Sequence, residues 1–169
     1  MTKQERDRKP RRNGGRREKP EYDQKLLDLA RVTRVVKGGR RFRFRATLVI
    51  GNRKGKVGVG VAKGADVSDA IQKAYQSAMK NLVTIELAGT SIAHEVHKKL
   101  GAAKVLLKPG NEGRGVIAGG AVRAVVDLVG IKDVVSKSLG SSNKLSVARA
   151  TVAALQMVKA TSERPKLKK

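Results

Sequence analysis

A strict alternation of apolar and polar residues is the clearest pattern in the chain. Between residues 41 and 50, one set of alternate positions holds Phe42, Phe44, Ala46, Leu48 and Ile50, and the other holds Arg41, Arg43, Arg45, Thr47 and Val49. Because successive side chains of a β-strand point to opposite faces, this pattern predicts a half-buried strand with three arginines on one face. Similar patterns at Arg31 to Val36 and at Lys56 to Ala62, where the valines point inward, predict two neighbouring strands.

A helical pattern follows these strands. Apolar residues recur at spacings of three and four after a capping residue that is either Asp66 or Ser68, at Val67, Ile71, Ala74, Ala78 and Leu82. The first folded unit is therefore predicted to be a three-stranded antiparallel sheet with one helix. The charged face of this sheet is expected to be open.

The second half of the chain alternates between strand and helix patterns. Strands are predicted at Ser91–His97, Ala103–Lys108 and Asp133–Leu139, with a Gly-rich stretch from Gly110 to Gly120. Two helices are predicted from apolar stripes. The stripe of the first helix consists of Val122, Val125, Val126 and Val129, and this helix ends at Gly130. The stripe of the second consists of Leu145, Ala148, Val152, Leu155 and Val158. This order predicts a small α/β layer, so that the whole chain has an α+β fold.

These patterns divide the chain into four parts. Residues 1–22 are interpreted as a disordered basic arm, residues 23–86 as the first domain, residues 87–160 as the second domain, and residues 161–169 as a basic tail.

Charge is distributed unevenly over these parts. The chain has 38 Lys and Arg against 14 Asp and Glu, a formal net charge of +24, which favours a polyanionic partner. From Leu29 to Ala65 there are eleven basic residues and no acidic one, whereas Thr84 to Ala160 holds eleven basic and five acidic residues. We therefore predict that the first domain binds RNA and that the second contacts proteins.

Composition excludes several classes of protein. The absence of cysteine rules out disulfides and thiolate metal sites. No apolar stretch approaches the roughly 18 residues of a membrane helix, and no signal-peptide core follows Met1, so a cytoplasmic protein without a membrane partner is expected.

Candidate catalytic and metal motifs fail on their spacing. His94, Glu95 and His97 do not form the His-Glu-x-x-His motif of zinc proteases, and no third ligand is evident. The Gly-rich segments miss both the Walker and the dinucleotide-binding spacing. Gly58 and Gly60 lie in a predicted strand, where small residues let another backbone or a phosphate approach the sheet. We expect no enzyme activity, no cofactor and no metal.

The mode of RNA binding follows from the scarcity of aromatic residues. The sequence Arg41-Phe42-Arg43-Phe44 is similar to strands whose rings stack on bases, but Phe42 and Phe44 share a face with Leu48 and are interpreted as core. With two Phe and two Tyr in the chain, stacking cannot dominate. Phosphate and shape recognition by Arg and Lys is the prediction.

Several motifs resemble the S-five family of universal, bacterial-type small-subunit ribosomal proteins. They are Val35-Val36-Lys37-Gly38-Gly39-Arg40-Arg41-Phe42-Arg43-Phe44, Gly55-Lys56-Val57-Gly58-Val59-Gly60, His94-Glu95-Val96, Glu112-Gly113-Arg114-Gly115-Val116-Ile117-Ala118-Gly119-Gly120, Gly130-Ile131-Lys132-Asp133-Val134 and Lys137-Ser138-Leu139-Gly140-Ser141-Ser142-Asn143. The resemblance covers about residues 26 to 160, in order. Arg114 departs from it, since the family usually has Thr there.

The resemblance implies both a fold and a role. It implies a first domain like a double-stranded-RNA-binding domain and a second α/β domain with a left-handed crossover. The implied protein is a structural component of the small ribosomal subunit that binds 16S rRNA, contacts ribosomal proteins S-four and S-eight near the region where messenger RNA enters, and influences translational accuracy. No homo-oligomer is expected.

Charge and resemblance together give the candidate site residues. The predicted rRNA-binding set is Arg31, Arg34, Lys37, Gly38, Gly39, Arg40, Arg41, Arg43, Arg45, Arg53, Lys54, Lys56 and Lys63. The predicted set for the protein interface and accuracy is Gly113, Arg114, Gly115 and Arg123. A free RNA chaperone and an enzyme acting on RNA are the alternatives; composition alone does not exclude the former, and the latter lacks catalytic side chains.

Overall fold

The structure is a computed structural model that describes residues 21–87 and 89–158. Its elements are, in chain order, β1 (Asp23–Val36), β2 (Gly39–Gly51), β3 (Lys56–Gly64), α1 (Val67–Lys80), β4 (Leu82–Thr84), β5 (Val96–Leu100), β6 (Ala103–Pro109), β7 (Val116–Ile117), α2 (Gly120–Val129), β8 (Val134–Gly140) and α3 (Lys144–Leu155). The predicted arm, apart from its last two residues, and the whole predicted tail lie outside the described residues.

Two four-stranded sheets organise the fold. The N-terminal sheet is antiparallel, with the order β1-β2-β3-β4, and the C-terminal sheet has the order β5-β6-β8-β7. In the C-terminal sheet β7 runs parallel to β8, and α2 connects these two strands. The predicted α+β fold is confirmed. The left-handed crossover stays a prediction.

Two details of the N-terminal sheet go beyond the sequence prediction. Strand β1 begins at Asp23, eight residues before the predicted start, because a register shift between Leu26 and Asp28 interrupts the period-two pattern there. The short strand β4 follows α1 and extends the sheet along β3.

Glycine and alanine bring α1 unusually close to β3. A Cβ at Gly58, Gly60 or Gly64 would lie within 3.0 Å of main-chain atoms of α1 or its N-terminal cap, and the helix meets these glycines with the buried residues Ala70, Ala74 and Ala78. The approaching group is therefore a helix backbone and not a phosphate. Ile71 and Leu82, which were expected in the buried stripe, are only half-buried, whereas Ala70, which was not expected there, is fully buried.

The second face of the N-terminal sheet is covered, which corrects the expectation of an open face. Thr47 is buried there, and Val49, Val57 and Val59 belong to a large apolar core shared with α2, α3 and the C-terminal sheet. Leu48 and Ile50 face a smaller core against α1. Strand β2 is thus sandwiched over much of its length, and its part beyond Ala46 toward the β1–β2 turn stays accessible.

The C-terminal elements match their patterns with two exceptions. The strand expected at Ser91–His97 begins only at Val96 and runs to Leu100, so the two segments share two residues. Strand β7 lies inside the Gly-rich stretch, where two residues are too short to show a period. Helix α2 buries its four predicted valines, and Gly130 ends it in the left-handed conformation, at φ 101°. Helix α3 buries Ala148, Val152 and Leu155, whereas Leu145 is half-buried and the buried Val158 lies beyond the helix end.

The turn between β2 and β3 joins the N-terminal sheet to helix α2. The backbone N–H groups of Arg53 and Gly55 donate to the carbonyls of Leu128 and Val129, both at 2.9 Å. These carbonyls belong to the last turn of α2, where carbonyl groups have no hydrogen-bond donor within the helix. One turn of the N-terminal sheet therefore completes the C-terminal end of a helix in the other unit.

Candidate nucleic-acid interface

The predicted basic residues gather mainly on the β1–β2 hairpin, which projects beyond the core. Between residues 31 and 45 only Val32 and Phe44 are even half-buried, and Val35 is 75% exposed. Phe42, expected in the core, is 43% exposed, because the strand has passed the region that α1 covers by this point. The β1–β2 hairpin is therefore an exposed two-stranded projection.

One face of the hairpin carries a continuous row of cations. Strand pairing places Arg34 directly opposite Arg41, and Arg45 directly opposite Lys63 of β3. Arg43 lies between them on the same face, since alternate residues share a face. We call Arg34, Arg41, Arg43, Arg45 and Lys63 the hairpin patch. Like charges placed directly opposite each other destabilise a sheet, so this arrangement favours an anionic partner.

The hairpin patch is concave. A groove of about 320 Å³ runs along it, lined by Arg34, Arg41, Arg43 and Lys63 together with aliphatic carbons of Val32 and Val36. A groove with cationic walls and an apolar floor can hold phosphate oxygens while its aliphatic carbons contact the sugar.

The opposite face of the hairpin holds a second, smaller set. The guanidinium carbon of Arg31 lies 3.6 Å from the centre of the Phe42 ring, which orients the arginine by a cation–π interaction. Arg40 shares this face by register, and Lys37, Gly38 and Gly39 form the hairpin tip. The sequence did not predict this ring contact, which is diagonal across the two strands: Arg31 lies directly opposite Phe44, two residues from Phe42 on the same face.

Arg53, Lys54 and Lys56 form a separate group at the other end of the sheet. Strand β2 has 13 residues, and at about 3.3 Å per residue this group lies roughly 40 Å from the hairpin tip. The side-chain oxygen of Asn52 accepts the backbone N–H groups of Lys54 (2.8 Å) and Lys56 (3.0 Å) and thereby fixes the turn. The structure therefore divides the predicted set between two ends of one sheet.

Acidic residues neutralise part of the set. Asp28 pairs with Arg45 at 3.8 Å and with Lys144 at 3.1 Å, and Asp23 pairs with Arg53 at 2.9 Å. Within residues 21–87 and 89–158, the remaining predicted cations form no ion pair. Most of the hairpin charge is thus available to a ligand.

The predicted protein-interface residues lie on one loop and the adjoining turn of α2. Gly113 and Gly115 both have positive φ, at 82° and 76°. The backbone N–H of Gly115 donates to Oδ1 of Asp133 (2.9 Å), and Nη2 of Arg123 donates to the carbonyl of Val116 (3.0 Å). Arg114 is exposed at the loop tip.

The anchor of this loop was missed by sequence reasoning. The sequence pattern placed Asp133 only at the start of a predicted strand, yet its side chain is buried, at 5% exposure, and holds the loop in place. Ser91 supports the same loop, since its hydroxyl accepts the N–H of Gly110 and donates to the Asp133 carbonyl. The sequence feature that could have indicated this anchor is an acidic residue in the segment between the apolar residues Ile131 and Val134.

The histidine motif forms an exposed ion-pair cluster. Nε2 of His97 lies 3.1 Å from Oε1 of Glu95, and Nζ of Lys108 lies 3.3 Å from the same oxygen. Burial raises the pKa of Glu95, but the hydrogen bonds from Lys108 and His97 outweigh it and hold that pKa below its usual range. In the described part of the chain, no group of three or more His, Asp or Glu is arranged to hold a metal ion. No helix among the same residues is long and apolar enough to cross a membrane.

Comparison with known proteins agrees with this arrangement. Residues 22–86 match the family described as ribosomal protein S5, N-terminal domain, and residues 98–167 match ribosomal protein S5, C-terminal domain. The chain belongs to the ribosomal protein S5 family. It is 55% identical over 139 residues to the small ribosomal subunit protein uS5 of Campylobacter jejuni serotype O:23/36, covering 82% of this chain and 95% of that protein, and the protein from serotype O:6 gives the same values.

Membership of the S5 family fixes the broad role of the chain. Members of the family are structural proteins of the small ribosomal subunit and not enzymes, so the chain acts in translation as a ribosomal component in the cytoplasm. Association with the ribosome and its RNA follows from that role.

Proposed function

We propose that the N-terminal unit, residues 23–86, fixes 16S rRNA by contacting its phosphates through the hairpin patch, the hairpin tip and the turn that contains Arg53, Lys54 and Lys56. The observation that carries this proposal is the direct cross-strand opposition of Arg34 to Arg41, two arginines that form no ion pair within the residues that the structure describes. Such pairs are unfavourable in the free protein and become favourable when phosphates lie between them. Recognition is by phosphate position and RNA shape.

The salt dependence of RNA binding tests this proposal. The double variant Arg41→Gln/Arg43→Gln should bind a 16S rRNA transcript more weakly, and the slope of log K against log salt should fall by about 1.8 if each arginine contacts one phosphate. Lys80→Gln/Lys132→Gln is a matched control, because it removes two exposed cations outside both predicted sets. An unchanged slope for the arginine variant, with the control also unchanged, would contradict the proposal.

We propose a different role for the C-terminal unit, residues 87–160. Its loop with Gly113, Arg114 and Gly115, together with Arg123, contacts neighbouring ribosomal proteins, with S-four and S-eight as the partners, near the region where messenger RNA enters. The anchoring of Gly115 by Asp133 and of Arg123 by the Val116 carbonyl supports this role, because a rigid loop presents a defined surface.

Ribosomes that carry Arg123→Ala test the accuracy role. Arg123 is exposed, so its removal should leave the fold intact while the position of the loop loosens. We expect a changed frequency of stop-codon readthrough with an unchanged salt slope of RNA binding. Normal readthrough together with normal binding to the neighbouring proteins would refute the role of this loop.

A further inference from the structure

The outer face of the C-terminal sheet carries a line of lysines that the proposed function does not use. Lys99 of β5 lies directly opposite Lys104 of β6, and the partner of Lys104 on the next strand is Leu139 of β8. Lys137 of β8 lies opposite Leu106, which places it diagonally between Lys104 and Lys108. We call Lys99, Lys104, Lys137 and Lys108 the lysine track.

The lysine track faces away from the core. The residues that alternate with it on β6, Ala103, Val105 and Leu107, are all buried, whereas Lys99, Lys104, Lys108 and Lys137 are all exposed. Both helices of the unit therefore pack on the other face. Directly opposite side chains on a sheet lie about 5 Å apart and diagonal ones roughly 7–8 Å apart. The track thus crosses three adjacent strands with short and regular steps.

Most of the charge on the track is not neutralised within the protein. In the part of the chain that the structure describes, Lys99, Lys104 and Lys137 form no ion pair. Lys108 lies 3.3 Å from Glu95, a carboxylate that also pairs with His97. The opposition of Lys99 to Lys104 is itself unfavourable. Lysine on an edge strand can serve to block aggregation, but that explains only Lys99, because β6 and β8 are inner strands of the sheet.

From this geometry we infer that the lysine track binds the phosphate backbone of a second RNA segment, apart from the RNA held by the hairpin. A line of like charges with single steps of 5 to 8 Å suits successive phosphates on one strand. The exposed side chain of Leu139 and the half-buried Leu106 lie between the lysines and can contact sugars. Protein interfaces, in contrast, are depleted in lysine, which argues against a protein on this face.

The double variant Lys104→Gln/Lys137→Gln in the full chain tests this inference. Its salt slope for binding small-subunit ribosomal RNA should fall by about 1.4 to 1.8 relative to the unmodified protein, while Lys80→Gln/Lys132→Gln leaves the slope unchanged. Combining the track variant with Arg41→Gln/Arg43→Gln separates the two surfaces. If only the arginine variant lowered the salt slope, the inference would be overturned and the proposed function would stand. If only the lysine variant lowered it, the proposed function would be overturned and the inference would stand.

Crosslinking distinguishes RNA from a protein partner. A photoreactive amino acid at position 139, beside Lys104 and Lys137, should crosslink to RNA in assembled small subunits. Crosslinks to a ribosomal protein alone would overturn the inference, because they would show that a protein covers the track.

Discussion

Replacement of Gly60 by alanine should force helix α1 away from the N-terminal sheet. An added Cβ would overlap the carbonyl oxygen of Ala74 and would lie 2.5 Å from the backbone nitrogen of Ala78. Both obstacles are main-chain atoms of a helix, so no side-chain rotation relieves the overlap. Ala78→Gly would not rescue the variant, because the two atoms remain.

The expected loss of stability follows from this overlap. Overpacking of a core costs typically 1–3 kcal/mol, and the upper end applies here because backbone must move. For a protein of 150–250 residues each kcal/mol lowers Tm by roughly 2–4 °C, so a loss of about 3 kcal/mol corresponds to about 6–12 °C. The small core of Leu48 and Ile50 beneath α1 would open at the same time.

Thermal unfolding followed by circular dichroism measures this effect. Gly120→Ala is the matched control, since nothing lies within 4 Å of an added Cβ there, and its stability should change by less than about 0.5 kcal/mol. If Gly60→Ala unfolded within about 2 °C of the unmodified protein, the close approach of α1 to β3 would not be the packing that holds this unit together.

Three further predictions concern stability. Leu48→Asp should unfold the N-terminal unit by placing an unpaired charge in its core, and circular dichroism at 25 °C should show the loss; a folded variant would contradict the face assignment. Gly130→Ala should destabilise the protein in urea, because the residue has φ 101° and an added Cβ would overlap the Arg53 carbonyl; an unchanged urea midpoint would refute this reading of the helix end. A hydrogen bond from Lys73 is the main reason that the pKa of Asp69 is lowered in the folded protein. The ionised Asp69 therefore stabilises the fold at pH values above its unfolded-state pKa, and this stabilisation is lost as the pH falls through its folded-state pKa. Asp69→Asn should therefore flatten the fall of the urea midpoint as the pH drops below about 4, and an identical pH profile would argue against this role.

Local patterns identified most secondary-structure elements, and they failed where a signal was short or interrupted. The bulge between Leu26 and Asp28 hid the first part of β1, and the two residues of β7 carry no readable period. The alternation in β2 correctly predicted which residues share a face, but it did not predict the position along the strand at which burial ends. Phe42 and Leu48 share a face, yet only Leu48 lies beneath α1.

The candidate site shows the same division. The acid-free run from Leu29 to Ala65 identified the basic residues, because charge is a property of composition. Their separation into the hairpin patch and the distant turn depends on how strands pair. The lysine track illustrates this most clearly, since Lys99, Lys104 and Lys137 are scattered in sequence and become neighbours only through the register of β5, β6 and β8.

The sequence by itself determined the α+β class, the total charge and its concentration in the N-terminal unit, since periodicity and composition are local properties of the chain. The tertiary structure decided which faces are covered. Thr47 and Val49 alternate with the apolar residues of β2 as solvent-facing residues could, but both are buried, Val49 in the core that includes residues of α2 and α3. Burial depends on contacts between distant segments, such as the turn at Arg53 and the end of α2, and no local pattern encodes such contacts.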